Sequence, residues 1–86
     1  MNKGWWRFFI EINKNIEDLM IWKLNQLEIF SYAFDSFSKD KNISKLLIWL
    51  PAFCWKKNKR EKLEETLKYL LRENGQKINL FGWDFI

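Results

Sequence analysis

Between Trp5 and Ile12 the chain alternates with a period of two: Trp6, Phe8, Ile10 and Ile12 fall on one side of an extended backbone, and Trp5, Arg7, Phe9 and Glu11 on the other. Successive side chains of a strand point to opposite faces, so this segment predicts a strand with one face in a core and the other mixed. Ile43 to Leu50 repeats the pattern, with Leu46, Ile48 and Leu50 opposed by Lys45, Leu47 and Trp49. Two such strands in one sheet need an apolar cover on one face only. The other face is left open.

The cover is supplied by two helical segments. From Ile16 to Glu28, the residues Ile16, Leu19, Met20, Leu24 and Leu27 form a stripe at helical spacing. Asn15 is placed as its N-cap, with Glu17 and Asp18 in the first turn where they suit the helix dipole. A second helix starts at Asn58, with Glu61 three residues later in capping-box spacing. Its stripe is Leu63, Thr66, Leu67, Leu70 and Leu71, and Asn74-Gly75 supplies a left-handed stop. Ile29 to Phe37 predicts a strand in which Phe30, Tyr32 and Phe34 alternate with Ser31, Ala33 and Asp35; the turn Ser38–Asn42 joins it to Ile43–Leu50 as a hairpin. A last strand, Lys77 to Phe85, has Ile78 and Leu80 in one phase and Phe81, Trp83 and Phe85 in the other; a bulge at Gly82 is one way to reconcile them, and the sequence leaves the facing of this strand open. The order βαββαβ predicts an α+β, ferredoxin-like domain over residues 1–86: a four-stranded antiparallel sheet with both helices on one face.

Several classes of chemistry are excluded by what the chain lacks. There is no histidine, which removes the commonest metal ligand and general base. One cysteine, Cys54, permits no internal disulfide and fits a reducing compartment. No run approaches the roughly 18 apolar residues of a membrane span, and Arg7 and Glu11 interrupt the only apolar opening, against a signal peptide. The expectation is a cytosolic protein that does not engage membrane.

Aromatic residues make up 19% of the chain, with six Trp and eight Phe. One small core does not absorb that much ring area, so part of it belongs at the surface. Trp5, Phe9, Leu47 and Trp49, in the odd phase of the two central strands, are the candidates for a partner-binding patch on the open face. The readings of such a patch are a protein partner, a covering domain or a second copy of the chain, or surface scatter with no occupant. The same topology also stacks RNA bases on aromatics of these strands, but Ser44–Leu50 lacks the Gly-Phe/Tyr signature of RNA-recognition domains.

The net charge is local. Lys56, Lys57, Lys59, Arg60 and Lys62 against Glu61 carry +4, the net charge of the whole chain. They form a possible patch for an anion or an acidic partner, or a solvated loop. Asp35 with Asp40, and Glu64 with Glu65, are carboxylate pairs without a nucleophile or metal-ligating neighbour and read as solvating charges. Cys54, beside Trp55 and Lys56, reads as a small packed residue at a strand end rather than a reactive thiol.

The stretch Trp22-Lys23-Leu24-Asn25-Gln26-Leu27-Glu28-Ile29-Phe30-Ser31-Tyr32 resembles the helix-to-strand junction in the N-terminal domain of ribosomal protein methyltransferases of PrmA type. The opening aromatic strand, Ile48-Trp49-Leu50-Pro51 and Phe81-Gly82-Trp83 resemble it too. The resemblance implies a ferredoxin-like domain that recognises a substrate, the eleventh protein of the large ribosomal subunit. It implies that S-adenosylmethionine and catalysis belong to a separate methyltransferase domain outside these residues, so that this chain alone is no enzyme and holds no cofactor. Two departures stand out: no glycine-rich strand-turn-helix loop is present, and Glu28 occupies a position where the family tends to have glycine. A left-handed backbone there costs a non-glycine residue about 1 kcal/mol. The alternatives are a small RNA- or ribosome-binding domain and a self-associating regulatory domain.

Overall fold

A computed structural model describes residues 4–35 and 41–86. The elements follow the predicted order: β1 (Trp5–Asn13), a 3-10 turn (Lys14–Ile16), α1 (Glu17–Gln26), β2 (Tyr32–Asp35), β3 (Ile43–Pro51), α2 (Lys57–Glu73) and β4 (Phe81–Phe85). The strands form one sheet in the order β2-β3-β1-β4. Every neighbouring pair is antiparallel. This is the α+β, ferredoxin-like arrangement, with the two alternating segments as its central strands.

Register fixes the faces. Phe8 pairs with Ile48 on one side and Trp83 on the other, and Ile10 with Leu46 and Phe81. These even-phase side chains join Met20 and Leu24 of α1 and Leu63, Leu67 and Leu71 of α2 in one core, so both helices lie on the same face. Burial of each such aliphatic or aromatic side chain is worth about 1.5–3 kcal/mol. Ser44 is the polar member of this layer, buried beside Ile12 with its hydroxyl unpartnered among the described residues.

The helix starts differ from expectation. Asn13, not Asn15, is the capping side chain: its Oδ1 accepts from the Asn15 N–H at 3.1 Å and caps the 3-10 turn, which places the start of α1 at Glu17. α2 starts at Lys57, ahead of Asn58, and Lys56 caps it without a side-chain bond. A tertiary contact fixes that start. The Arg60 guanidinium donates to the Trp55 carbonyl at 2.7 Å and lies 4.0 Å from the centre of the Trp6 ring.

Both helices end in the same six-residue motif. In α1 the Ile29 N–H donates to the Leu24 carbonyl at 2.9 Å and the Glu28 N–H to that of Asn25 at 3.1 Å; in α2 Gln76 and Gly75 make the matching bonds to Leu71 and Arg72. This Schellman geometry places one residue in the left-handed region. Gly75 takes it at φ 71° and Glu28 at φ 58°. Glycine meets no crowding there, whereas the Glu28 Cβ carries a penalty of about 1 kcal/mol.

The edge strands are shorter than predicted. Ile29 is buried against the Leu24 layer, which turns Phe30 out to 71% exposure, and β2 starts only at Tyr32. The rest of that predicted strand, and most of the turn after it with Asp40, lie outside the described residues. Lys77–Leu80 is not strand, and Gly82 stands in regular register opposite Phe9, so no bulge is needed: Phe81, Trp83 and Phe85 take the core phase from the first residue of β4.

Candidate functional site

The face away from the helices is laid out in cross-strand rows. At one end Asp35, Lys45 and Glu11 stand side by side on β2, β3 and β1. Next come Ala33, Leu47, Phe9 and Gly82, then Trp49, Arg7 and Asp84, and finally Pro51 and Trp5. Trp5, Phe9, Leu47 and Trp49 therefore share one face, with two charges, Arg7 and Asp84, set among them.

The four are not equally available. The Phe9 ring lies flat enough on Gly82 that an added Cβ would meet its Cζ at 2.9 Å, and the Lys45 ammonium is 4.8 Å from its centre. Phe9 is thus partly covered by the Gly82 backbone and the Lys45 side chain. Leu47 is half-buried beside it. Arg7 Nη2 donates to Asp84 Oδ2 at 3.0 Å, tying β1 to β4 across the middle of the face.

Trp5 and Trp49, in contrast, line open hollows at the Pro51 end of the sheet. One, of about 290 Å³, is bounded by Trp5, Ser31, Trp49 and Ile86. The other, of about 370 Å³, runs over the sheet edge between Trp5, Trp49, Phe30, Pro51 and Trp55, with Glu28 as its charged residue. Alternation puts Phe30 in one phase with Tyr32 and Phe34 and does not point to this hollow, and Glu28 and Trp55 lie in turns where period two says nothing. Glu28 stands out in the sequence only through the family resemblance, as a non-glycine residue at the end of the first helix, and the structure holds it at φ 58°.

The basic patch divides in two. Lys56, Lys57, Lys59 and Lys62 are exposed, and the Lys59 ammonium stands 4.5 Å from the Trp55 ring. Arg60 is held by Trp6 and the Trp55 carbonyl, so it braces α2 against the sheet. Beside the exposed lysines, a groove of about 500 Å³ between the end of α1 and the start of α2 is lined by Leu27, Pro51, Trp55 and Leu63, with Glu28, Lys59 and Lys62 at its rim. Cys54 also lines it and is exposed in the turn after β3, contrary to the expectation of a packed residue. The turn holds it outside, since the Cys54 and Trp55 N–H groups both point back to the Pro51 carbonyl.

Glu64 is likewise more than a solvating charge. One carboxylate oxygen accepts from the Trp83 indole N–H at 2.9 Å and the other from Lys68 at 3.0 Å, while the Lys68 ammonium covers the Phe81 ring at 4.0 Å. This cluster pins β4 to α2. Glu65 is exposed on the same helix and takes no part. No group of three metal-ligating residues occurs among the described residues. Nor is any of their helices long and apolar enough to cross a membrane. The strand-to-helix turns after β1 and β3 contain no glycine, and the Gly4 and Gly82 backbones are covered by Phe85 and Phe9.

With that geometry in place, comparison with known proteins supplies the decisive likeness. The chain is similar to ribosomal protein L11 methyltransferases. Three from Prochlorococcus marinus illustrate the range: strain MIT 9515, 44% identical over 79 residues, 92% of this chain and 26% of the relative; strain MIT 9215, 37% identical over 84 residues, 98% and 27%; and strain AS9601, 36% identical over 84 residues, 98% and 28%. The chain thus spans about a quarter of the length of the curated relatives it matches. No family model matches it, and no solved structure does.

Proposed function

We propose that these residues are the substrate-holding N-terminal domain of a ribosomal protein methyltransferase of PrmA type, working in the cytosol. The observation that carries this reading is the similarity of nearly the whole chain to a quarter of enzymes named for ribosomal protein L11. In this reading the partner is that ribosomal protein, and S-adenosylmethionine and methyl transfer belong to the other three quarters of the enzyme. The domain contributes by positioning: holding the substrate protein raises the effective concentration of its amino groups at a tethered active site.

The open sheet face supports a contact of this kind. Trp5, Leu47 and Trp49 form an apolar surface interrupted by the Arg7–Asp84 pair, the mixture of aromatic anchors and polar groups found where proteins meet. The test is a titration of the isotope-labelled 86-residue chain with the ribosomal protein, followed by NMR. Saturable shifts at Trp5, Leu47 and Trp49 are expected, and Trp49→Ala is expected to weaken binding about tenfold, the loss of roughly 1.4 kcal/mol typical of an anchor residue. Absence of shifts at high micromolar partner, or shifts confined to Lys56–Lys62, would overturn this assignment of the face.

A further inference from the structure

The hollow at the Pro51 end of the sheet joins aromatic walls to a lone carboxylate, whereas the middle of the open face carries the paired Arg7 and Asp84. Its walls are aromatic, from Trp5, Phe30, Trp49 and Trp55, and Glu28 is its charged residue. The Glu28 side chain is exposed, and its carboxylate makes no hydrogen bond or ion pair with any described residue. It also holds the backbone at φ 58° in a cap that glycine fills without crowding, as Gly75 does at the end of α2. A residue that strains the backbone and repays nothing within the fold points to a function outside it.

From this we infer that the hollow is a subsite for one basic side chain, lysine or arginine, of the partner protein. A carboxylate beside aromatic faces suits such a group on two counts. The ring faces attract a cation, and the long methylene stem packs on the same rings while the charged head reaches the carboxylate. The Lys59 ammonium already takes the Trp55 ring at 4.5 Å, so Trp5, Trp49 and Phe30 are the rings left for an incoming cation. The volume of about 370 Å³ accommodates one such side chain with its solvent and no folded element. The neighbouring groove of about 500 Å³ is a poor rival for the same cation, because Lys59 and Lys62 stand at its rim. The inference rests on the proposed function only for the partner's identity; the subsite is argued from the hollow itself.

Three small probes test it on the 86-residue chain: Nα-acetyl-lysine methylamide, the arginine counterpart and the uncharged norleucine counterpart. The lysine or arginine probe is expected to shift the indole N–H signals of Trp5, Trp49 and Trp55 saturably at millimolar concentration, with the norleucine probe several-fold weaker. Glu28→Gln keeps the strain and removes the charge, and is expected to weaken the charged probe about three- to fivefold, the range of an exposed ion pair. Glu28→Gly is expected to lose the same binding while raising the unfolding midpoint. Equal response to norleucine, or a Glu28→Gln variant that binds the charged probes as before, would overturn the subsite. Binding of the ribosomal protein that is indifferent to Glu28→Gln removes the subsite and leaves the proposed function standing. Probe binding without ribosomal protein binding does the reverse.

Discussion

Phe8 and Phe9 are neighbours on the same strand and differ in almost everything that matters. Phe8 is fully buried under the helices, 4.7 Å from the Trp83 ring centre. Phe9 faces the other way, half-covered by a glycine backbone and a lysine. A rotation of one residue separates a side chain that holds the fold from one that helps present a surface. The stability of this domain is therefore built on one face of the sheet, and the opposite face is held by shallow contacts that leave Trp5 exposed and Trp49 half-buried.

The sharpest way to break that contrast is to truncate both rings. Phe8→Ala empties a closed core site and is expected to cost about 3–5 kcal/mol. Phe9→Ala removes contacts on one side of a half-covered ring and is expected to cost about 1–2 kcal/mol. Urea unfolding followed by circular dichroism measures both. Equal losses would mean that the open face is as structural as the covered one.

The same contrast explains what could be read from the sequence. Alternation placed the faces of β1 and β3 correctly because these central strands are paired on both sides and only one phase can meet the helices. It failed at the edges. Phe30 looked like a core residue of a longer β2, but the cap at the end of α1 hands the buried position to Ile29. Ile78 and Leu80 looked like the opening of β4, but the ladder with β1 starts at Phe81. Asn58 had the right chemistry for an N-cap, and a long-range contact of Arg60 with Trp6 and Trp55 set the helix start instead. The candidate site was half legible: Trp5 and Trp49 follow from period two, whereas Glu28, Phe30 and Trp55 come to them through turns whose paths no local pattern specifies.

On the covered side, a polar tie at the edge is the next test. Glu64 accepts from Trp83 and Lys68 together, so Glu64→Ala strands a partly buried indole N–H and is expected to cost about 1–2 kcal/mol. Glu64→Gln keeps an oxygen for Trp83 and is expected to recover roughly half of that loss. A glutamine variant as unstable as the alanine one would mean that the charge that holds Lys68 over Phe81, and not the indole bond, ties β4 to α2.

Where the covered face passes into the open one, at the cap of α1, the expected change is smaller and of opposite sign. Glu28→Gly relieves the left-handed Cβ and is expected to stabilise by about 1 kcal/mol, less whatever the freer unfolded chain takes back. The matching change at the end of α2, Gly75→Ala, is expected to destabilise by a similar amount. Glu28→Ala separates side chain from backbone, since alanine keeps the strain: it is expected to leave stability near that of the parent. Thermal melts of the three variants distinguish a strained cap from a glutamate that contributes to folding, because in the second case glycine and alanine would both lower the midpoint.

The smallest expected effect lies in the middle of the open face. Arg7 and Asp84 form a contact of 3.0 Å, but their side chains remain 37% and 46% exposed, so water screens the attraction and the two flexible groups lose entropy in making it. A double-mutant cycle with Arg7→Gln and Asp84→Asn is expected to give a coupling of about 0.2–1 kcal/mol. It is expected to shrink as salt rises toward 1 M, where the screening length falls to about 3 Å. The interest of the pair lies elsewhere. It holds Arg7 within the row that contains Trp49, so a partner covering that row meets a fixed charge pair with little net field, and breaking it exposes a lone cation or anion at the centre of the contact. Asp84→Asn is therefore expected to change partner binding more than it changes folding, and Arg7→Gln likewise. A coupling well above 1 kcal/mol in the free domain, unmoved by salt, would mean that the open face carries structural weight of its own and that the division between the two faces is less complete than Phe8 and Phe9 suggest.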